Sequence, residues 1–277
     1  MRIKITVIAF LFISSYCFPQ HFLEEQYQYA KGLYHTENYF DAVTEGKRLL
    51  FADTVGSYSY PGNMLIAFSY KGGGRFEDAL AYFNLARKYS SGNRDSYIAR
   101  LEAVKCLIIL RSPSALTLLR GLEKDHLSEY DQYGTPAYWR GWYWLFRGEP
   151  GFAHEDFAKT SVGKYLSEFC DSINNEKYSV NFGRSISYLV PGSGLLYSGE
   201  YYGAFMSLLW NALGIWLTAD ALNSGRTLDG VLLANFVWFR FYFGGINNAQ
   251  KEITNKNSEL INTAIQYLET NYKGLKP

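Results

Sequence analysis

Cysteine is scarce. Cys17, Cys106 and Cys170 are the three in 277 residues, too few for a disulfide framework, and no disulfide is expected. Neither sign of charge is in excess: 27 Lys and Arg stand against 26 Asp and Glu, a net charge of +1. This removes the electrostatic reason to expect nucleic acid or a strongly acidic partner. His21, His35, His126 and His154 have no metal-ligand spacing with one another or with a cysteine pair, so no metal site is expected. Ser161-Val-Gly-Lys164 has the spacing of a serine–lysine acylation motif, but the Ser-Asp-Asn and Lys-Thr-Gly elements that accompany it elsewhere are missing. His154, Glu155 and Asp156 are consecutive, and adjacent residues on a helix point in different directions. No catalytic set and no cofactor emerge, and the chain is read as not an enzyme.

Aromatic residues are abundant, at 18% with 24 Tyr and 6 Trp, which suits both membrane-interface belts and closely packed helices. Long stretches without charge occur in residues 181–248. From Gly203 to Leu222 only Asp220 is charged, and those residues as a helix would extend about 30 Å, the thickness of a bilayer's hydrocarbon core. Gly230 to Ile246 has Arg240 as its only charge and would reach about 25 Å, enough to cross only with snorkelling or a thinned bilayer. The polar Asn223 to Asp229 segment between them reads as a short turn, giving an antiparallel hairpin. Counted outward from Gly225, Asn211 and Arg240 fall at similar depth. A guanidinium in lipid needs a polar partner or a path to the interface, so these two residues are expected to face each other or a partner protein, with outward snorkelling of Arg240 as the alternative. Asp220 and Arg226 read as an interfacial charge pair.

Residues 1–20 carry two positive charges by Lys4, an apolar run from Ile5 to Ile13 broken only by Thr6, and then Ser14 and Ser15. This is the grammar of an export signal or N-terminal anchor. Tyr16, immediately before Cys17, argues against lipidation there. Such a signal places the repeats outside the cytoplasm and the hairpin turn inside. Lys177, Arg184, Lys251 and Lys256, however, flank the opposite end of the hairpin from Arg226, and positive charge prefers the cytoplasm. The signal is taken as the stronger guide.

Residues 23–160 contain an internal repeat. Ala42, Ala79, Ala115 and Ala153 recur at spacings of 37, 36 and 38, and Ala30, Ala67, Ala103 and Gly141 each lie 12 positions earlier. Small residues so placed allow close helix crossings, and the period is that of stacked helix pairs. Pro113 and Pro150 open second helices, where a missing amide donor does little harm. The second copy, with Ala67, Tyr70, Phe76, Ala79, Phe83 and Ala86, resembles the tetratricopeptide repeat, although the period exceeds that family's usual 34 residues. The first copy matches at Ala30, Leu33, Tyr39, Ala42 and Leu49, with Gly46 where an aromatic is usual. The resemblance implies that the first helix of each pair lines a surface for a protein or peptide ligand. Carried over by position, its contacts would be Tyr27, Lys31, Tyr34, Met64, Phe68, Lys71, Arg100, Tyr138 and Trp142. The competing reading is that these rings pack between helices.

Val190 to Ala204 combines a proline turn with Gly192, Gly194, Gly199 and Gly203 among tyrosines, which reads as an interfacial turn leading into the first span. Pro191, Gly192, Gly194, Tyr197 and Gly199 resemble the Pro-Gly-x-Gly-x-x-Tyr-x-Gly signature of small bacterial membrane domains fused to periplasmic repeats. Leu196 to Gly199, with Trp216 and Asp220, are more faintly similar to the two-transmembrane-helix domain family. Neither resemblance supplies a chemistry.

The expected protein is therefore all-α: a signal or anchor over 1–20, a tetratricopeptide-like helical solenoid with a capping helix over 21–180, a glycine-rich turn and membrane helical hairpin over 181–248, and an amphipathic tail over 249–277. The expected role is a scaffold of the bacterial envelope, membrane-anchored with periplasmic repeats, whose partners are a protein or peptide and membrane lipid. The alternative is a biogenesis, secretion or transport component in which the hairpin is the working part.

Overall fold

In the computed structural model, which describes residues 21–277, the chain is all-α, 81% helical, with no strand among the described residues. The signal or anchor expected over 1–20, with Cys17, lies outside the described residues. Helical residues 21–35 (α1) are followed by α2 (Tyr39–Ala52), α3 (Ser59–Gly72), α4 (Phe76–Lys88), α5 (Asn93–Ile109) and α6 (Ser114–Lys124). After the 3₁₀ segment Ser128–Tyr133 come α7 (Pro136–Phe146), α8 (Pro150–Ala158) and α9 (Lys164–Glu176). The remainder is α10 (Val180–Leu189), the short α11 (Ser193–Tyr197), α12 (Tyr201–Asn223), α13 (Thr227–Leu233), a π-helical turn over Ala234–Trp238, and α14 (Phe239–Asn271).

The chain divides into two compact units. One runs through Arg147 and includes Glu155–Lys164 and Leu275–Pro277; the other comprises Gly148–His154 and Tyr165–Gly274. α9, expected as the cap of the repeats, is thus grouped with the second unit.

In the first unit each of α2 to α5 packs on the next in sequence, an arrangement compatible with a helical repeat solenoid. Local signals set the helix ends. Glu77 and Asp78 open α4 and Arg87 and Lys88 close it, matching the helix dipole at both ends. Thr135 caps α7 by accepting the Tyr138 amide, with Pro136 at the first helical position. The small residues at the repeat positions are all buried: Ala30, Ala42, Ala67, Ala79, Ala103, Ala115 and Ala153 are at most 1% exposed, and Gly141 is buried as well. At Gly141 a Cβ would come within 2.7 Å of the Phe157 ring, so the crossing depends on the missing side chain. Aromatic rings fill the remaining space, among them Phe83 edge-on to Phe68 at 5.2 Å and Phe157 edge-on to Trp142 at 6.0 Å.

A second periodicity lies in the turns. Glu37, Gly74, Arg111 and Gly148, each 37 residues after the last, have positive φ of 60°, 73°, 54° and 80°. In the first three the amide three residues past the helix closes a wide loop back to it: Asn38 N donates to Leu33 O, Arg75 N to Tyr70 O and Ser112 N to Leu107 O. This is the Schellman closure, which satisfies carbonyls left over at a helix end and needs one left-handed residue. Glycine supplies that residue without strain and a side chain does not.

Glu37, exposed and in the left-handed region, should accept glycine to advantage. Glu37→Gly is expected to stabilise the protein by about 1 kcal/mol, read as a raised Tm of the full chain.

Candidate functional site

The residues expected to hold a peptide separate into three groups. Tyr27, Tyr34 and Phe68 are partly exposed and Lys31 is exposed. Tyr34 lies 6.4 Å from Phe68, centroid to centroid, bringing α1 and α3 together at one aromatic surface, and Tyr27 tilts against Tyr58 at 5.5 Å. Met64, Tyr138 and Trp142 are 8%, 1% and 2% exposed. They are core residues with no surface to offer a ligand, because helical spacing alone does not separate a first-helix face turned outward from one turned against the next pair. The last two polar candidates are engaged within the protein: Arg100 pairs with Asp125, and Lys71 Nζ donates to Glu102 at 3.0 Å.

Glu102 is buried and shared, its other oxygen accepting from Lys105 Nζ at 2.5 Å, while the Lys105 ammonium sits 4.6 Å from the Trp139 ring. Burial pushes the Glu102 carboxyl up, but Lys105 and Lys71 outweigh it and hold the group below its ordinary range. Cys106 and Cys170 are free and buried. Burial raises the Cys106 thiol to about 11 and the Cys170 thiol to about 12, keeping both protonated and unreactive. Among the described residues no group of three or more His, Cys, Asp and Glu could hold a metal ion.

Beside α2 a cavity of about 670 Å³ is lined by residues that include Phe40, Val43, Lys47, Phe51, Tyr70 and Arg75. Phe40 and Phe51 are 80% and 91% exposed. Sequence reading passed over this surface. The signal for it in the sequence is an aromatic at each end of a helical face that carries Val43, Thr44, Lys47 and Arg48 between them.

In the second unit the glycine-rich turn is a packed junction. Gly192 has φ of +90°, and a Cβ there would lie 2.5 Å from the Ala204 carbonyl oxygen. At Gly194 the amide donates to Ser187 Oγ at 3.0 Å, and that hydroxyl donates to the Gly183 carbonyl at 2.8 Å. A Cβ on Gly194 would overlap both oxygens and meet Ala249. α10, α11 and α14 therefore approach within backbone distance at a single hydroxyl. Pro191 is partly buried beside this junction. The Tyr197 hydroxyl accepts the Ser179 amide at 3.1 Å, and its ring stands edge-on to Tyr178 and Phe182. Gly199 (φ +80°) closes the turn into α12, with Glu200 N donating to Leu195 O.

α12 then packs on α13, the π-helical turn and the start of α14 as a helical hairpin. Gly214 abuts Trp238 and Gly245 abuts Ser207, a register that sets Asn211 level with Phe241, next to Arg240. The two expected partners share a depth, but no hydrogen bond joins them. Asn211 is buried, its amide donating to Ser207 O at 2.8 Å, and Arg240 is exposed. Trp210 stacks on Phe241 at 5.0 Å. Arg226 pairs with Asp220 at 3.0 Å near the turn, as its position suggested. α14 runs on through 248 and 249 without a break, so the tail is the continuation of the hairpin's second arm.

Neither a protein-family profile, nor a curated protein, nor a solved structure matches the chain. What the sites can do therefore rests on their own geometry.

Gly194→Ala should cost about 2–3 kcal/mol by overpacking, whereas Gly244→Ala, where a Cβ meets nothing within 4 Å, should be neutral or stabilising by up to about 1 kcal/mol. Thermal melts of the two variants side by side check this. Because Glu102 titrates below its unfolded range, its stabilisation is complete above that range and lost as pH falls through the depressed value. Glu102→Gln should flatten the acid limb of the Tm–pH curve.

Proposed function

We propose that this protein is a membrane-anchored adaptor without catalytic activity: the hairpin lies in lipid, and the helix pairs take a protein or peptide segment at the aromatic surface of α1 and α3. One helix among the described residues, Tyr201–Asn223, is long and apolar enough to cross a membrane. The observation that carries the proposal is the inverted distribution of side chains on that helix. Its buried positions are Ala204, Asn211, Gly214, Thr218 and Ala221, while Phe205 and Trp216 are 62% and 63% exposed and Leu208, Leu209 and Ile215 are exposed too. A water-soluble helix buries its large apolar residues. Helices that associate in lipid place small residues at the contact, where backbone approach matters and apolar bulk gains nothing. The polar seam residues bond carbonyls of their own helix, Thr218 to Gly214 at 2.7 Å and Asn211 to Ser207, as a medium without water requires.

The finer reading of the first unit as a tetratricopeptide-like solenoid is supported by the alanine spacing and by the left-handed turns repeated every 37 residues. Placement of that solenoid on the periplasmic side of a bacterial envelope rests on the signal-like residues 1–20 and on the resemblance carried by Pro191 to Gly199.

Purified full chain should float with phospholipid vesicles. Leu213→Arg, on the exposed face at mid-helix, should cost about 3 kcal/mol of insertion and reduce the floating fraction at least tenfold. Wild-type protein that stays in the soluble fraction without detergent would refute the membrane assignment. In cross-linked pull-downs from solubilised membranes, Tyr34→Ala with Phe68→Ala should lose the partner and still float.

A further inference from the structure

A second cavity, of about 600 Å³, opens between α12 and α14 where the hairpin meets the glycine-rich turn. Each wall is one helical face: Gly203, Ser207 and Trp210 on α12, and on α14 a line from Phe241 through Gly244 and Asn248 to Lys251 and Asn255. At one end of the cavity Trp210 stacks on Phe241 beside Arg240, and the other end is lined by Asn248, Lys251, Glu252 and Asn255. From Phe241 to Asn255 the helix rises about 21 Å, roughly the depth of one leaflet with its head groups. Glycine keeps the slot open, for a Cβ on Gly244 would meet nothing within 4 Å.

The charges in this slot are unbalanced. Glu200 is neutralised by Lys256 at 3.1 Å, which leaves Arg240 and Lys251 against the single carboxylate of Glu252. Neither Arg240 nor Lys251 makes an ion pair or hydrogen bond with the described residues. Ser207 Oγ, on the same lining, is buried without a hydrogen-bond partner. One net positive charge, carried by two cations that make no ion pair, and an unused hydroxyl beside an exposed apolar helix describe a receptor for an anionic amphiphile.

We infer that this cavity binds one anionic phospholipid, with its phosphate between Arg240 and Lys251, its glycerol region at Ser207, and its acyl chains leaving past Trp210 and Phe241. The inference rests on the membrane reading above and adds to it a defined lipid site. It gives Arg240 a role that requires no partner within the hairpin.

The test uses native mass spectrometry of the full chain in mild detergent, offered phosphatidylglycerol and phosphatidylcholine in equal amounts. One phosphatidylglycerol should be retained per chain, about tenfold or more in preference to phosphatidylcholine. Arg240→Gln with Lys251→Gln should abolish that preference. Gly244→Leu, which fills the slot without changing charge, should abolish retention. Vesicle flotation of the same proteins separates the two readings. If the wild type floats yet retains both lipids alike, or if either variant keeps the preference, the site is refuted and the anchor stands. If the wild type does not float, the anchor falls. Displacement of the lipid by an equal concentration of glycerol 3-phosphate would also refute the assignment, since the site would then recognise free phosphate and not a lipid.

Discussion

Two helices can bring their backbones together only where neither presents a bulky side chain at the crossing, and both units of this protein meet that constraint at fixed places. In the first unit Ala67 and Ala79, Ala103 and Ala115, and Gly141 are buried at the repeat positions, and the large rings occupy the spaces between crossings. In the second unit the same requirement appears at Gly183, Gly194 and Ala249 around Ser187, and again along the Ala204 to Ala221 face of α12. The difference between the units lies in where the excluded bulk goes. Trp139, Phe83 and Phe157 are enclosed in the first, whereas Phe205, Trp216 and Phe236 face outward in the second. Equivalent contact chemistry thus accompanies enclosed rings in the one and outward-facing rings in the other.

Charge is divided in the same way. The first unit buries Glu102 between two lysines, and Asp156 between Arg140, which also reaches Glu123, and Lys159. Each acid thereby ties together helices that apolar packing alone would leave free to slide. The hairpin buries no such cluster. Its ion pairs, Arg226 with Asp220 and Asp229 and Glu200 with Lys256, stand near the two ends of α12 and leave the apolar length between them.

Much of the backbone plan was legible in the sequence, because small residues at crossings and uncharged runs are both visible as spacing. The alanine period marked the helix pairs, and Gly203 to Leu222 marked α12. The left-handed turns escaped notice because Glu37 and Arg111 occupy two of the four positions and disguise a series that Gly74 and Gly148 alone do not reveal. Met64, Tyr138 and Trp142 are buried although their spacing fits a binding surface, since a large side chain on a first helix has the same period whether it faces a groove or a neighbour. The cavity between α12 and α14 left only faint traces: its cations are eleven residues apart, on one face of α14, and the opening between them is made by glycines, which leave no signal of volume in a sequence.

From residue 227 to residue 271 the backbone is helical throughout, crossing a π-helical turn without interruption. α14 alone, at 33 residues, is about 50 Å long, well beyond the thickness of any hydrocarbon layer. Its greasy beginning and its amide-rich, charged later half are therefore one continuous helix. A rotation of 10° about either end displaces the other by about 9 Å, so any tilt imposed on the apolar arm would be delivered as leverage at the polar extremity.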